Sequence, residues 1–152
     1  MNKLTALIFT FILATVSIFH SSLVSADSRD ETSKGALVMF LTTTDQNVAG
    51  HALHIASRML AEGRKTTIVL IGDAGRLGVK GAKTKLSAVG GQPLQTTLAS
   101  FARAGGSVFV TPPTLALIEA TPDDLIDGVG LPIDHAGLHD HMFAADTKLV
   151  VF

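Results

Sequence analysis

Thr111-Pro112-Pro113-Thr114 places two hydroxyls three residues apart, separated by two prolines. The apolar run Gly106 to Val110 before it predicts a short buried strand, and Leu115 to Ile118 after it predicts a helix. In a parallel α/β sheet, ligands and reactive groups collect at the carboxyl ends of strands. A threonine there acts as a nucleophile only with a base beside it, because its hydroxyl is far from ionised at neutral pH. No histidine lies close in sequence, although one could arrive through the fold. The same residues have a plainer use: Thr111 can cap the following helix, and proline suits a first helical turn. A second strand end, Thr42 to Asn47, supplies further hydroxyls and a helix cap at Asp45 or Asn47. Thr43, Thr44, Asp45 and Asn47, with Thr111, Pro112, Pro113 and Thr114, are the candidate lining of a ligand-binding cleft. No catalytic residue is assigned.

Three other groups carry chemistry. Arg76, Lys80, Lys83 and Lys85 put four cations in ten residues with no acid among them, a pattern that attracts anions or simply keeps a loop in water. Gly72, Gly75, Gly78 and Gly81 recur every third residue. They match neither the dinucleotide fingerprint nor a phosphate loop, so they read as a flexible surface connection. His135 and His139 stand four apart, and His141 follows. Histidines at i and i+4 on a helix can chelate zinc. On a regular helix, though, His141 lies about 240° round from His135, so the three do not share a face. His51 and His54 share a face of an earlier helix. These histidines are weak metal candidates, and no metal or other cofactor is expected.

The chain has 152 residues, with 12 Lys and Arg against 13 Asp and Glu. That balance points to neither nucleic acid nor a membrane surface as partner. Leu4 to Phe19 is an uncharged apolar run after Lys3, and Val24-Ser25-Ala26 supplies the small residues of a cleavage site. Residues 1–26 therefore read as a signal peptide cleaved after Ala26, which implies a periplasmic or secreted protein with no membrane attachment after cleavage. The run is shorter than the roughly 20 residues of a membrane span. The chain has no cysteine, so it forms no disulfide in an oxidising compartment and carries no thiol chemistry.

The elements that must position these groups follow from hydrophobic pattern. Residues 27–35 read as a loose segment and 36–152 as one domain. Ala36 to Leu41 and Thr66 to Ile71 are continuous apolar runs, typical of strands covered on both faces. Ala49, Leu53, Ala56, Met59 and Leu60 recur at helical spacing before Gly63. Pro93 to Ala104 predicts a helix with Leu94, Leu98 and Phe101 on one side. Thr121 precedes Pro122 as a helix cap, Val129 to Leu131 is a short strand, His135 to Ala145 a helix, and Lys148 to Phe152 a last strand. This alternation predicts an α/β fold: a three-layer α/β/α sandwich around a mainly parallel sheet of about five strands, with right-handed crossovers.

Gly105 to Gly128 resembles the DsrE/DsrF-like family. In that family a strand ends in a Cys-Pro-x-Cys or related motif, and a short helix leads to a stretch like thr-pro-glu-asp-leu-ile-asp-gly. Here Val108 to Thr114 and Thr121 to Val129 fit that frame, and the likeness extends weakly to both ends of residues 36–152. It implies the α/β/α sandwich and assembly into trimers or hexamers. Family members with the cysteines relay sulfur as a persulfide. Thr111 and Thr114 stand where those cysteines would be, and a hydroxyl forms no persulfide, so sulfurtransferase activity is not expected. The implied function is that of an exported, oligomeric, non-catalytic binding or accessory protein, tied to sulfur metabolism only through its family. The alternatives are an enzyme of other chemistry around Thr111 and Thr114, and a histidine-based metal binder.

Overall fold

The computed structural model describes residues 35–132 and 135–152, with the side chains of 135–137 excepted. The signal peptide and most of the loose segment read from the sequence lie outside the described residues.

Among the described residues five strands form one sheet: β1 (Leu37–Leu41), β2 (Thr66–Leu70), β3 (Ser107–Val110), β4 (Val129–Gly130) and β5 (Lys148–Val151). Their spatial order is β4-β3-β2-β1-β5, and every pairing is parallel. The central strand β2, Thr-Thr-Ile-Val-Leu, is buried at all five positions. That explains its unbroken run of β-branched and apolar residues: a strand with neighbours on both edges and layers on both faces has no side to give to water.

The two faces of the sheet differ in thickness. Leu37, Met39, Leu41, Ile68, Leu70, Val108 and Val110 project to one face and form the main core. There they meet α1 (Gln46–Ala61) and α2 (Leu94–Arg103). Alanines 49, 52 and 56 and Leu53 bring α1 close to the sheet, while Leu94, Leu98 and Phe101 are buried from α2. Each such large apolar side chain contributes about 1.5–3 kcal/mol by leaving water.

From β1 to β3 the chain advances in one direction across the sheet, so right-handed crossovers stack α1 and α2 on the same face. The connection from β4 to β5 runs back across the whole sheet. The same handedness sends α4 (His135–Phe143) to the opposite face. It docks there through His141, whose Nδ1 lies 2.9 Å from Thr67 Oγ1 and whose ring meets Phe109 edge-on at 6.3 Å. The result is the expected α/β/α sandwich. Its second outer layer is thin: Leu149 and Val151 share Phe40's side of the sheet and are 49% and 68% exposed.

Three of the four triplet glycines, Gly72, Gly75 and Gly78, do not lie in a flexible surface connection; Gly81 is exposed beyond them. Gly72–Gly78 is a 3-10 helix with Ala74, Gly75, Leu77 and Gly78 buried. A 3-10 helix has three residues per turn, so a three-residue glycine repeat aligns on one face of it. Gly78 faces Leu70, Val110 and Val129, and a side-chain carbon there would lie 3.2 Å from each. At Gly75 it would collide with the Thr114 methyl group. Gly75 and Gly78 form a packing surface against β3 and the helix that follows.

Candidate functional site

The carboxyl ends of β1, β2 and β3 lie side by side. The backbone carries Gly72 between the other two: its amide donates to Thr114 Oγ1 at 3.3 Å, and its α-carbon faces the Thr42 carbonyl. The chain can turn so sharply after β2 because Gly72 adopts φ +58°, a conformation that favours glycine.

At the end of β3, Pro112–Leu117 forms the short helix α3. Thr111 takes the N-cap position, with its carbonyl accepting from the Leu115 amide at 3.1 Å. Its hydroxyl does not cap the helix. It pairs instead with the Thr114 hydroxyl at 2.9 Å. Thr114 is 3% exposed, with its methyl group against Gly75. Among the described residues, the partners of these two hydroxyls are each other and the Gly72 amide. No histidine nitrogen among the described residues bonds either oxygen. Pro112 and Pro113 are exposed on the first turn.

At the end of β1, the loop residues have structural partners. Asp45 caps α1, its carboxylate accepting from the Asn47 and Val48 amides at 2.9 and 3.0 Å. Those two bonds, Val48's foremost, hold the Asp45 carboxyl below its usual pKa, and Lys85 adds to the effect. Thr43 Oγ1 accepts from the Asp45 amide at 3.1 Å, and the Asn47 carbonyl bonds His51 Nδ1 at 2.8 Å. Thr42 Oγ1 donates to the Phe152 carbonyl at 2.6 Å, tying the end of β1 to that of β5.

The cavity beside these strand ends has a volume of about 390 Å³. It is lined by Thr44 after β1, by Ile118 after α3, and by residues of the stretch 76–85, including Arg76, Lys80, Lys83 and Lys85. Of the expected cleft residues only Thr44 lines it. Thr111 and Thr114 do not line it, and Thr114 packs against Gly75 of the 3-10 helix. The basic stretch was singled out in the sequence for its charge, but its neighbours were not legible there.

The cavity wall is fixed at both ends. The Gln95 side-chain amide, on the first turn of α2, donates to the Leu77 and Val79 carbonyls at 3.2 and 2.5 Å. The Lys80 amide donates to the Asp124 carbonyl, and the Ile126 amide to Gly78, at 2.8 and 2.9 Å. Farther along, Leu94 N donates to Lys85 O at 3.1 Å, and Gln95 N to Thr84 Oγ1 at 3.4 Å. Asp124, which helps hold this frame, accepts from the Thr121 hydroxyl and amide at 2.7 and 2.8 Å. Those bonds, the hydroxyl's first, lower its carboxyl pKa.

His139 and His141 do not converge. His141 faces Thr67 and Phe109 on the sheet, while His139 stacks edge-on against Phe143 at 5.9 Å. The side chain of His135 lies outside the described residues. Among the described residues no group of three or more metal-ligating side chains forms.

No protein-family model matches this chain, and no curated protein does. Solved structures do. The crystal structure of the ychN protein from E. coli aligns with 78% of this chain and 99% of its own, with 18% identity and a TM-score of 0.64. The structure of MTH1491, a protein of unknown function from Methanobacterium thermoautotrophicum, covers the same shares with 12% identity and a TM-score of 0.57. Both are proteins of DsrE-like fold. The likeness is one of fold, and it spans nearly the whole of each solved chain.

Proposed function

We propose that this protein is an exported, oligomeric binding or accessory protein of DsrE-like type that holds a small ligand at its strand ends and performs no sulfur relay. The observation that carries the reading is the cavity of about 390 Å³ beside the ends of the parallel strands. Its size falls within the roughly 300–1,000 Å³ usual for small-molecule sites, and its position is the usual one for ligands in such sheets.

The state of the β3 end supports binding over chemistry. Thr111 and Thr114 occupy the cysteine positions of the resemblance, and their hydroxyls bond each other at 2.9 Å, with no histidine among the described residues bonded to either. Export rests on the pattern of residues 1–26, and trimer or hexamer assembly on the family resemblance. The exposed apolar side chains of β5 are compatible with a further subunit.

The test is to fill the cavity. Ala82 lines it and is half-buried. Ala82→Trp should abolish retention of any small molecule that wild-type protein holds through equilibrium dialysis against a metabolite extract, while leaving the far-ultraviolet circular dichroism unchanged. Equal retention by the folded variant would refute binding at this cavity.

A further inference from the structure

The cation cluster of the cavity has no role in the fold that would explain all four charges. The Lys80 ammonium donates to the Asp123 carbonyl at 2.8 Å, and so helps fix the wall. Arg76, Lys83 and Lys85 also line the cavity, and among the described residues none of the three forms an ion pair with a carboxylate. Asp45 lies close enough to Lys85 for the lysine to lower its pKa. The Asp45 carboxylate is already engaged by the two amides it caps. Arg76, Lys83 and Lys85 thus line one space without an ion-pair partner among the described residues.

Two hydroxyl-bearing residues, Thr44 and Thr84, line the same space. Gly81 stands among the lining residues with φ +72°, and no atom would lie within 4 Å of a side chain there. Its bare backbone leaves room for a ligand oxygen to approach. The rest of the lining is apolar: Leu77, Val79, Ala82 and Ile118. A bare tetrahedral oxyanion would fill only a small part of about 390 Å³.

We infer that this cavity takes a small organic phosphate or a similar oxyanion ester, its charged group held by Arg76, Lys83 and Lys85 and its body resting on Val79, Ala82 and Ile118. The inference rests on the cavity's being a binding site, as proposed above, and adds the ligand's chemistry. Arg76 supplies the planar fork that grips two oxyanion oxygens at once, and the lysines act as point charges. Such a site is salt-sensitive, because its cations are exposed.

The experiment titrates the full assembled protein with phenyl phosphate, phenol and inorganic phosphate, read by amide nuclear magnetic resonance shifts. Phenyl phosphate should move the amides of Thr44 and of residues 76–85, and phenol should move them far less. Inorganic phosphate should bind the same residues about tenfold more weakly for want of the apolar body. Arg76→Gln with Lys83→Ser should weaken phenyl phosphate binding at least about tenfold, whereas Lys65→Ser, remote from the cavity, should leave it unchanged. A melting temperature equal to wild type shows that each variant is folded, and the wild-type shifts stand without any variant.

Phenol binding as tightly as phenyl phosphate would overturn the role of the cations, yet leave the cavity a binding site. Inorganic phosphate binding as tightly would overturn the role of the apolar wall. Failure of all three probes, joined by failure of the Ala82→Trp test, would remove both the inference and the reading beneath it.

Discussion

Replacing Thr114 by valine separates a structural pair of hydroxyls from a catalytic one. The substitution keeps the shape of the side chain, including the methyl group that packs against Gly75. It removes only the oxygen that accepts from the Gly72 amide at 3.3 Å and pairs with Thr111 Oγ1 at 2.9 Å. At a position 3% exposed, water cannot readily replace that acceptor. An unsatisfied donor left this way costs about 1–2 kcal/mol. A domain of roughly 120 residues unfolds with an entropy near 0.25 kcal/mol/K, so the melting temperature should fall by about 4–8 °C. Thr111→Val is the control. It removes one neutral hydroxyl bond at a half-exposed site and leaves the Gly72 amide its acceptor, so it should cost about 0.5–1 kcal/mol, or 2–4 °C. Differential scanning calorimetry of both variants measures the difference. Neither substitution should alter ligand retention, since neither residue lines the cavity. A Thr114→Val protein as stable as wild type, or a Thr111→Val protein less stable than Thr114→Val, would refute this account of the strand end.

Three more outcomes are expected. Gly75→Ala drives a methyl group into Thr114 and to within 3.1 Å of Ile118 Cδ1, and should destabilise by about 1–3 kcal/mol in denaturant titration. Asp45 and Asp124 have pKa values lowered in the folded state. Their contribution is therefore fully present above the unfolded carboxyl value near 3.8 and is lost as pH falls through the folded values. The double variant Asp45→Asn, Asp124→Asn should accordingly show a flatter loss of stability below about pH 4 than wild type. His141→Ala removes the bonded partner of Thr67 and the ring against Phe109. Hydrogen exchange should quicken in residues 138–143, with α1 and α2 unchanged.

The fold was legible because its strands are short, apolar and well punctuated. Ala36 to Leu41 and Thr66 to Ile71 read as doubly covered strands, and Leu37–Leu41 and Thr66–Leu70 pair in parallel at the sheet's centre. The alternation then fixed the crossovers. Gly72 to Gly78 was misread because glycine suggests freedom; its three-residue period, that of a 3-10 helix, was the available signal. Thr111 was placed correctly as a cap, but its hydroxyl chose Thr114 over the backbone. The cavity was the least legible feature. The cations were visible as a run, but their wall is held by Gln95 and by Asp124, residues whose bonds to it depend on long-range packing. The position of Thr44 opposite that wall likewise follows from the order of the strands, which hydrophobic pattern alone leaves open.

Native mass spectrometry of untagged protein, recovered from its source cells, tests the central claim most directly. The account predicts an assembly of several copies, each beginning at Asp27, carrying a small ligand that the Ala82→Trp assembly lacks. A bare monomer, or a ligand still bound to the Ala82→Trp assembly, would contradict it.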